Sequence, residues 1–299
     1  DFDGNLTIKD TKDVPESTDD NRYYEFENNN NMTVTFSNVT IRLNTTSNGD
    51  YTFVFDIFTT GDIRIIDSEI NATHYRTSRI EIEASAILIQ NSTIWSGTRN
   101  TESGTSCYYG NGEDWCVNQG YHRYIYTYLT LVAGNLTVED SDLKATSEMT
   151  STTSHDGSSY YYRRAHTYVD IDVEYDMEVH DSLILGYVRN NGPNGQNGLA
   201  YLDSDMEIDN LEVLSSKLKN SWYSAGDDGT NNFDFEVTSG EFNNSTISLS
   251  PQTSSGSQST LSFGELWMSN STFGHAIGWN DGNNYLYVKN LTDSVNATS

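Results

Sequence analysis

Cysteine is nearly absent from this chain, basic residues are scarce, and no apolar stretch is long enough to cross a bilayer as a helix. Each shortage removes a class of protein. Two cysteines among 299 residues cannot staple a disulfide-dense scaffold, and a lone pair without a neighbouring histidine pair is a poor zinc site. Sixteen Lys and Arg against 43 Asp and Glu give a formal net charge of −27. Such a charge repels nucleic-acid phosphates and anionic headgroups alike, so nucleic-acid binding is excluded. Without a run of about 20 apolar residues no membrane-spanning helix is expected. The apolar fraction is also low, at 35%, yet 12% of residues are aromatic, so a core is expected but a thin one. Thin cores suit solenoids.

Catalytic signatures are missing as well. There is no G-x-S-x-G elbow, no H-E-x-x-H pair and no G-x-x-x-x-G-K-[ST] loop, and the six histidines are scattered. What the chain has in quantity is Asn followed two residues later by Ser or Thr. Twelve such acceptors occur, at Asn5, Asn31, Asn38, Asn44, Asn71, Asn91, Asn135, Asn243, Asn244, Asn270, Asn290 and Asn296. Spread over the whole length, they point to an exported, N-glycosylated protein. The sequence opens at Asp1 with neither Met nor an apolar leader, and so reads as a processed product. In an exported chain Cys107 and Cys116, close together in CYYGNGEDWC, are expected to form a local disulfide that fixes one loop, worth about 2–3 kcal/mol at most.

The organising feature is a repeat of short apolar alternations. IEIEASAILIQNSTI from Ile80, LTLVAGNLTVEDSDL from Leu129, VDIDVEYDMEVHDSL from Val169 and LSFGELWMSNSTF from Leu261 share one plan. An alternating strand meets a short bend, a second alternating strand follows, then Asn or Asp with Ser usually next, then another apolar residue. Weaker copies begin at Phe53, Leu199, Phe233 and Tyr285. Period-2 alternation without a helical stripe marks an all-β chain. Strands joined so sharply fit a coil wound around a flattened axis, each strand pairing with its equivalent one coil on. Asn and Asp tolerate the left-handed backbone conformation, so Asp67, Asn91, Asp140, Asp181, Asp209, Asn244, Asn270 and Asn290 are predicted to stack at one corner.

On these repeats the sequence resembles right-handed parallel β-helix proteins, from about Asn31 to Ser299. The resemblance implies one β-solenoid domain over 31–299, with 1–30 as an acidic arm or cap. Ile80, Ile82, Ile87, Ile89 and Ile94 would point inward in one coil, and Leu129, Leu131, Leu136, Val138 and Leu143 in another. Insertions are expected between coils at 97–127, 146–166, 187–198 and 221–232.

Many proteins of this fold bind or cleave acidic polysaccharides. Asp227-Asp228-Gly229 and Gly274-His275-Ala276 faintly resemble polygalacturonase motifs, but no Arg-x-Lys follows His275, and the negative charge would repel polygalacturonate. Asp1, Asp3 and Asn5 resemble the opening of a calcium loop whose twelfth position is occupied by Lys12. Structural Ca2+ could otherwise be held by outward carboxylates stacked about 4.8 Å apart. Tyr-rich segments, YHRYIYTYL from Tyr121 and Tyr160-Tyr161-Tyr162-Arg163-Arg164, would either bind a partner or fold over the side of the solenoid. In composition the chain resembles archaeal S-layer, sheath and surface-filament glycoproteins. That likeness implies a non-enzymatic, self-associating subunit at the cell surface; a polysaccharide-binding or polysaccharide-cleaving β-helix is the alternative.

Overall fold

The alternation becomes a parallel β-helix in the computed structural model of the chain, which describes residues 6–9, 22–28, 31–44, 52–74, 76–102, 107–110, 113–116, 124–151, 163–191, 198–224, 229–250, 258–275 and 283–292. Among these residues there is no helix. Long strands stack in chain order: Thr77–Gln90, Tyr124–Glu139, Arg163–His180, Gly198–Leu214, Gly229–Asn243, Gln258–Ser269 and Asn283–Thr292. A second sheet holds the strands that follow the corner, from Thr40–Asn44 and Glu69–His74 through Thr93–Glu102, Asp142–Ser151, Leu183–Asn191 and Lys217–Ser224 to Thr246–Ser250 and Thr272–His275. Every described pairing is parallel except one hairpin. Early coils show that each long strand is two legs: Thr52–Thr59 pairs with the first half of Thr77–Gln90 and Asp62–Ile66 with the second. Leu6–Lys9 and Arg22–Asn28 also join this sheet, so strands begin within the first 30 residues.

The predicted inward residues are buried. Ile80, Ile82, Ile87, Ile89 and Ile94, then Leu129, Leu131, Leu136, Val138 and Leu143, line one continuous core. Each contributes roughly 1.5–3 kcal/mol through burial. Coil after coil repeats this pattern because a period-2 strand can hide only one face.

At the corner the backbone turns through a left-handed residue. Asp67, Asn91, Asp140, Asp181, Asn244 and Asn270 have φ between 47° and 52°, as the Asn/Asp pattern predicts. Asn38 belongs with them at φ 55°. Two assignments need correction. The corner of the coil beginning at Gly198 is Ser215, at φ 52°, whereas Asp209 lies where that coil's two legs meet. Asn290 sits within a strand, paired with Glu265. Serine is an uncommon left-handed residue, and Asp209-Asn210 imitates the bend it replaces.

The residue after the corner carries a device that the Asn pattern hides. Ser68, Ser92, Ser141, Ser182, Ser216 and Ser245 are all buried. Each hydroxyl accepts the amide of its counterpart one coil earlier, at 3.0–3.1 Å. Each also donates to the carbonyl two residues back, at 2.6–2.8 Å. The turn leaves one amide per coil with no strand partner, and the serine column satisfies it. Ser141→Ala is therefore expected to orphan the Ser92 amide and cost about 1–3 kcal/mol in urea unfolding. An unchanged midpoint would mean that the column contributes nothing.

The insertions are shorter than the alternation suggests. Strands run on to Glu102, Ser151, Asn191 and Ser224 and resume at Tyr124, Arg163, Gly198 and Gly229. Polar residues occupy the inward positions there, which erases the apolar signature. Thr98, Thr127 and Ser147 form a closed hydroxyl triad at 2.8–3.1 Å, Ser78 and Ser96 bond at 2.9 Å, and the Ser204 hydroxyl donates to Asn220 Oδ1 at 3.0 Å. This buried polar seam separates the main core from a small cluster around Ile125, Met149, Val188, Leu202 and Trp222.

A candidate binding groove on the acidic face

The outward face of the first legs is set by the same alternation that builds the core. Register places Glu81, Thr130, Asp170, Asp205, Asp234 and Thr260 in one row. Two residues further on, Glu83, Val132, Asp172, Glu207, Glu236 and Ser262 form the next. Three consecutive coils thus carry a grid of six carboxylates. Neighbours about 4.8 Å apart along the axis repel by about 1–3 kcal/mol per charged pair, depending on screening. Partial burial, followed by the charges of Asp205 and Asp172, raises the Asp170 carboxyl. Burial and then Asp234, Asp172 and Glu236 raise Asp205. At the N-terminal side Arg79 relieves this repulsion by pairing with Glu81 and Asp56.

Beside the grid stand five rings from the Tyr-rich strands. Tyr128 and Tyr168 stack at 4.7 Å and 3°, Tyr126 and His166 at 4.9 Å, and His166 and Tyr201 at 4.3 Å. These separations match the spacing of coils, so neighbouring rings cover one another's faces. Tyr126 and Tyr128 thus lie along the side of the solenoid, each half-buried with a ring of the next coil stacked against it. Burial, then the charge of Arg164, lowers His166 to about 4, so it is neutral at physiological pH. Its Nδ1 lies 3.1 Å from the Tyr168 hydroxyl.

Where the two legs meet, the wall folds inward and a groove of about 800 Å³ runs along the axis. Six carboxylates line it: Glu83, Asp172, Glu174, Glu207, Asp209 and Glu236. Thr60, Ser85 and Thr238 share the lining with Ala133 and Gly134; Ser85 Oγ donates to the Thr60 carbonyl at 2.6 Å and Thr238 Oγ1 to Asp209 at 3.0 Å. A smaller hollow of about 600 Å³, sharing Glu236 and Thr238, extends it toward Tyr287 and Lys289. From Thr60 to Thr238 the groove crosses six coils, or about 24 Å. In the first of those coils Thr59, Thr60 and Gly61 stand opposite only Ala84 and Ser85, since Phe58 pairs with Glu83 and Asp62 with Ala86; the next two coils and the last two carry no insertion there. The coil Arg163–His180 holds one residue more than its neighbours: Ala133 pairs with Val173 but Asn135 with Asp176, and Val173 pairs with Ile208 but Asp176 with Asn210. The bulge pushes Glu174 and Tyr175 outward. Tyr175 is 51% exposed, and its hydroxyl hydrogen-bonds Glu174, which raises the phenol.

The asparagine acceptors distribute unevenly. Asn38, Asn91, Asn244 and Asn270 stand exposed at left-handed corners; Asn31, Asn135, Asn243 and Asn290 are exposed elsewhere. Asn71 is only 8% exposed, with its amide toward Glu69 and its carbonyl accepting from Thr73. At Asn91, Asn244 and Asn270 the triplet Asn-Ser-Thr is what the turn itself requires: a left-handed residue, a column serine and a strand opener. The amides of Asn91 and Asn270 bond to Asp67 at 2.6 Å and Asn244 at 3.0 Å. Asn44 lies in a strand, and Asn5 and Asn296 are outside the described residues. Cys107 and Cys116 are direct partners across an antiparallel hairpin, Cys107–Gly110 with Glu113–Cys116, joined by Asn111-Gly112, a dipeptide suited to tight hairpins.

Asp227 and Asp228 lie outside the described residues, as do Asp1, Asp3 and Tyr160–Tyr162. Among the described residues no three His, Cys, Asp or Glu side chains are grouped so as to hold a metal ion, and no helix is long and apolar enough to cross a membrane. No protein-family model matches the chain, and comparison with curated proteins and with solved structures gives no match.

Proposed function

We propose that the chain is a non-enzymatic structural subunit of an extracellular or cell-surface assembly, a filament, sheath or S-layer, N-glycosylated and joined to further copies through the margins of its solenoid. One observation carries the reading. At one margin Phe26 and Ile41, and at the other Phe273 and Val288, pack against the core yet stay only partly buried. Their strands, Arg22–Asn28, Thr40–Asn44, Thr272–His275 and Asn283–Thr292, each have one edge without a described partner. An open parallel edge at one margin and its complement at the other are the two halves of a head-to-tail contact, which polymerises when the rotation does not close. Exposed asparagines at the corners would place glycans on the outside of such a rod.

Native material, examined by electron microscopy and sedimentation, is expected to show rods that lengthen with concentration. Val288→Lys should hold the circular dichroism spectrum and shift the population to single subunits, because a charge at the margin opposes a neighbouring strand. Single particles at every concentration would sink the proposal. The acid-lined groove favours a second reading, a polysaccharide-binding β-helix.

A further inference from the structure

We propose that the groove binds an extended amine-bearing polysaccharide, a glucosamine-type chain, with Tyr175 as the platform on which one sugar ring stacks. The inference rests on the groove alone and is independent of the assembly reading. The bulge is the first observation. One extra residue interrupts the ladder between the coils on either side of Arg163–His180, and what it delivers is an exposed ring; bulges commonly re-aim a side chain in this way. The seat is the second. A Cβ on Gly134 would lie 3.6 Å from the Tyr175 ring and 2.6 Å from the Ser85 carbonyl oxygen, so only glycine leaves the groove floor flat beneath the ring. Glu174 holds the phenol from the side. Unlike the stacked rings of Tyr128 and Tyr168, this one has no aromatic neighbour among the described residues.

Charge selects the ligand. Six carboxylates along about 24 Å of groove repel uronic acids and attract a chain with one ammonium per sugar, screened only in part by salt. The C–H face of a sugar packs against Tyr175, a neighbouring ammonium gains from the same ring, and the Ser85 and Thr238 hydroxyls, which donate to the Thr60 carbonyl and to Asp209, keep lone pairs that accept from sugar hydroxyls. A lysine-rich peptide would satisfy the charge but has no flat C–H face to lay on Tyr175.

The test is calorimetric titration of the intact protein with glucosamine hexamer at mildly acidic pH and low salt, beside the N-acetylated hexamer, polygalacturonate and hexalysine. Binding of the amine-bearing sugar is expected, weakened about tenfold by Tyr175→Ala and preserved by Tyr175→Phe. Tyr223→Ala, exposed elsewhere, should change nothing. Polygalacturonate should not bind, and the N-acetylated chain should bind at least about tenfold more weakly, as loss of the charge pairing implies. Failure of the amine-bearing hexamer to bind, indifference to Tyr175→Ala, or equal and equally Tyr175-dependent binding of hexalysine would each overturn the assignment.

Discussion

Gly61→Ala is expected to destabilise the protein by about 2–4 kcal/mol, far beyond the usual effect of adding a methyl group at a surface turn. A Cβ at this position would stand 2.2 Å from the Met32 carbonyl oxygen and 2.7 Å from two further backbone carbons. Those atoms belong to the main chain of the preceding coil and have no rotamer to escape into. The clash must be relieved by lifting one coil off the next, which breaks the bonds that hold Met32 and Gly61 in place, among them Thr59 Oγ1 donating to the Met32 carbonyl at 3.2 Å and the Gly61 amide donating to Thr59 Oγ1 at 3.1 Å. Hydrogen exchange should locate the damage: amides of Val34–Ser37 and Asp62–Ile66 should lose protection while those around Ile171 keep it, since a solenoid couples nearest neighbours first. Uniform loss across the chain, or no loss, would contradict this account.

The second large effect concerns the C-terminal third, where the core changes from aliphatic to aromatic. Phe235 is fully buried, 5.7 Å from the Phe233 ring and 5.6 Å from Phe263. Phe263 in turn meets Phe242 and Phe273 edge to face at 5.9 and 6.0 Å. Phe235→Ala should cost about 3–5 kcal/mol, the sum of lost transfer energy and a cavity that stacked backbones cannot collapse around. Coils after Gly229 should melt before those preceding it, seen as a separate early transition in thermal unfolding followed by near-UV circular dichroism. A single transition at the parent temperature would show that the ring cluster is not what ties the last coils on.

Much of this fold is written in the alternation, and the reason is geometric. A strand hides one face, so Ile80, Ile82, Leu129 and Leu131 declare their direction by position alone, and Asn91 or Asp140 declares a left-handed corner by residue type. Legibility stops where a polar residue takes an inward position, as Thr98, Ser147 and Asn220 do, or where an unusual residue takes the corner, as Ser215 does. The groove could not be read at all. Its walls come from six coils brought together only by stacking, and the extra residue at Glu174-Tyr175 is invisible until Asn135 is set against Asp176. The serine column was in plain view as the residue after each corner, but an exposed Ser and a buried one look alike in a sequence.

Every ladder described here, backbone, serine and ring alike, points along the axis of the rod. Tension applied end to end therefore loads all the bonds between two coils at once and along their own direction, like rivets across a seam. Force applied across the rod at a strand terminus would instead meet them one after another, like a zipper. A polymer of such units should be stiff and strong in the line of its own length and should fail, when it fails, by peeling from an edge.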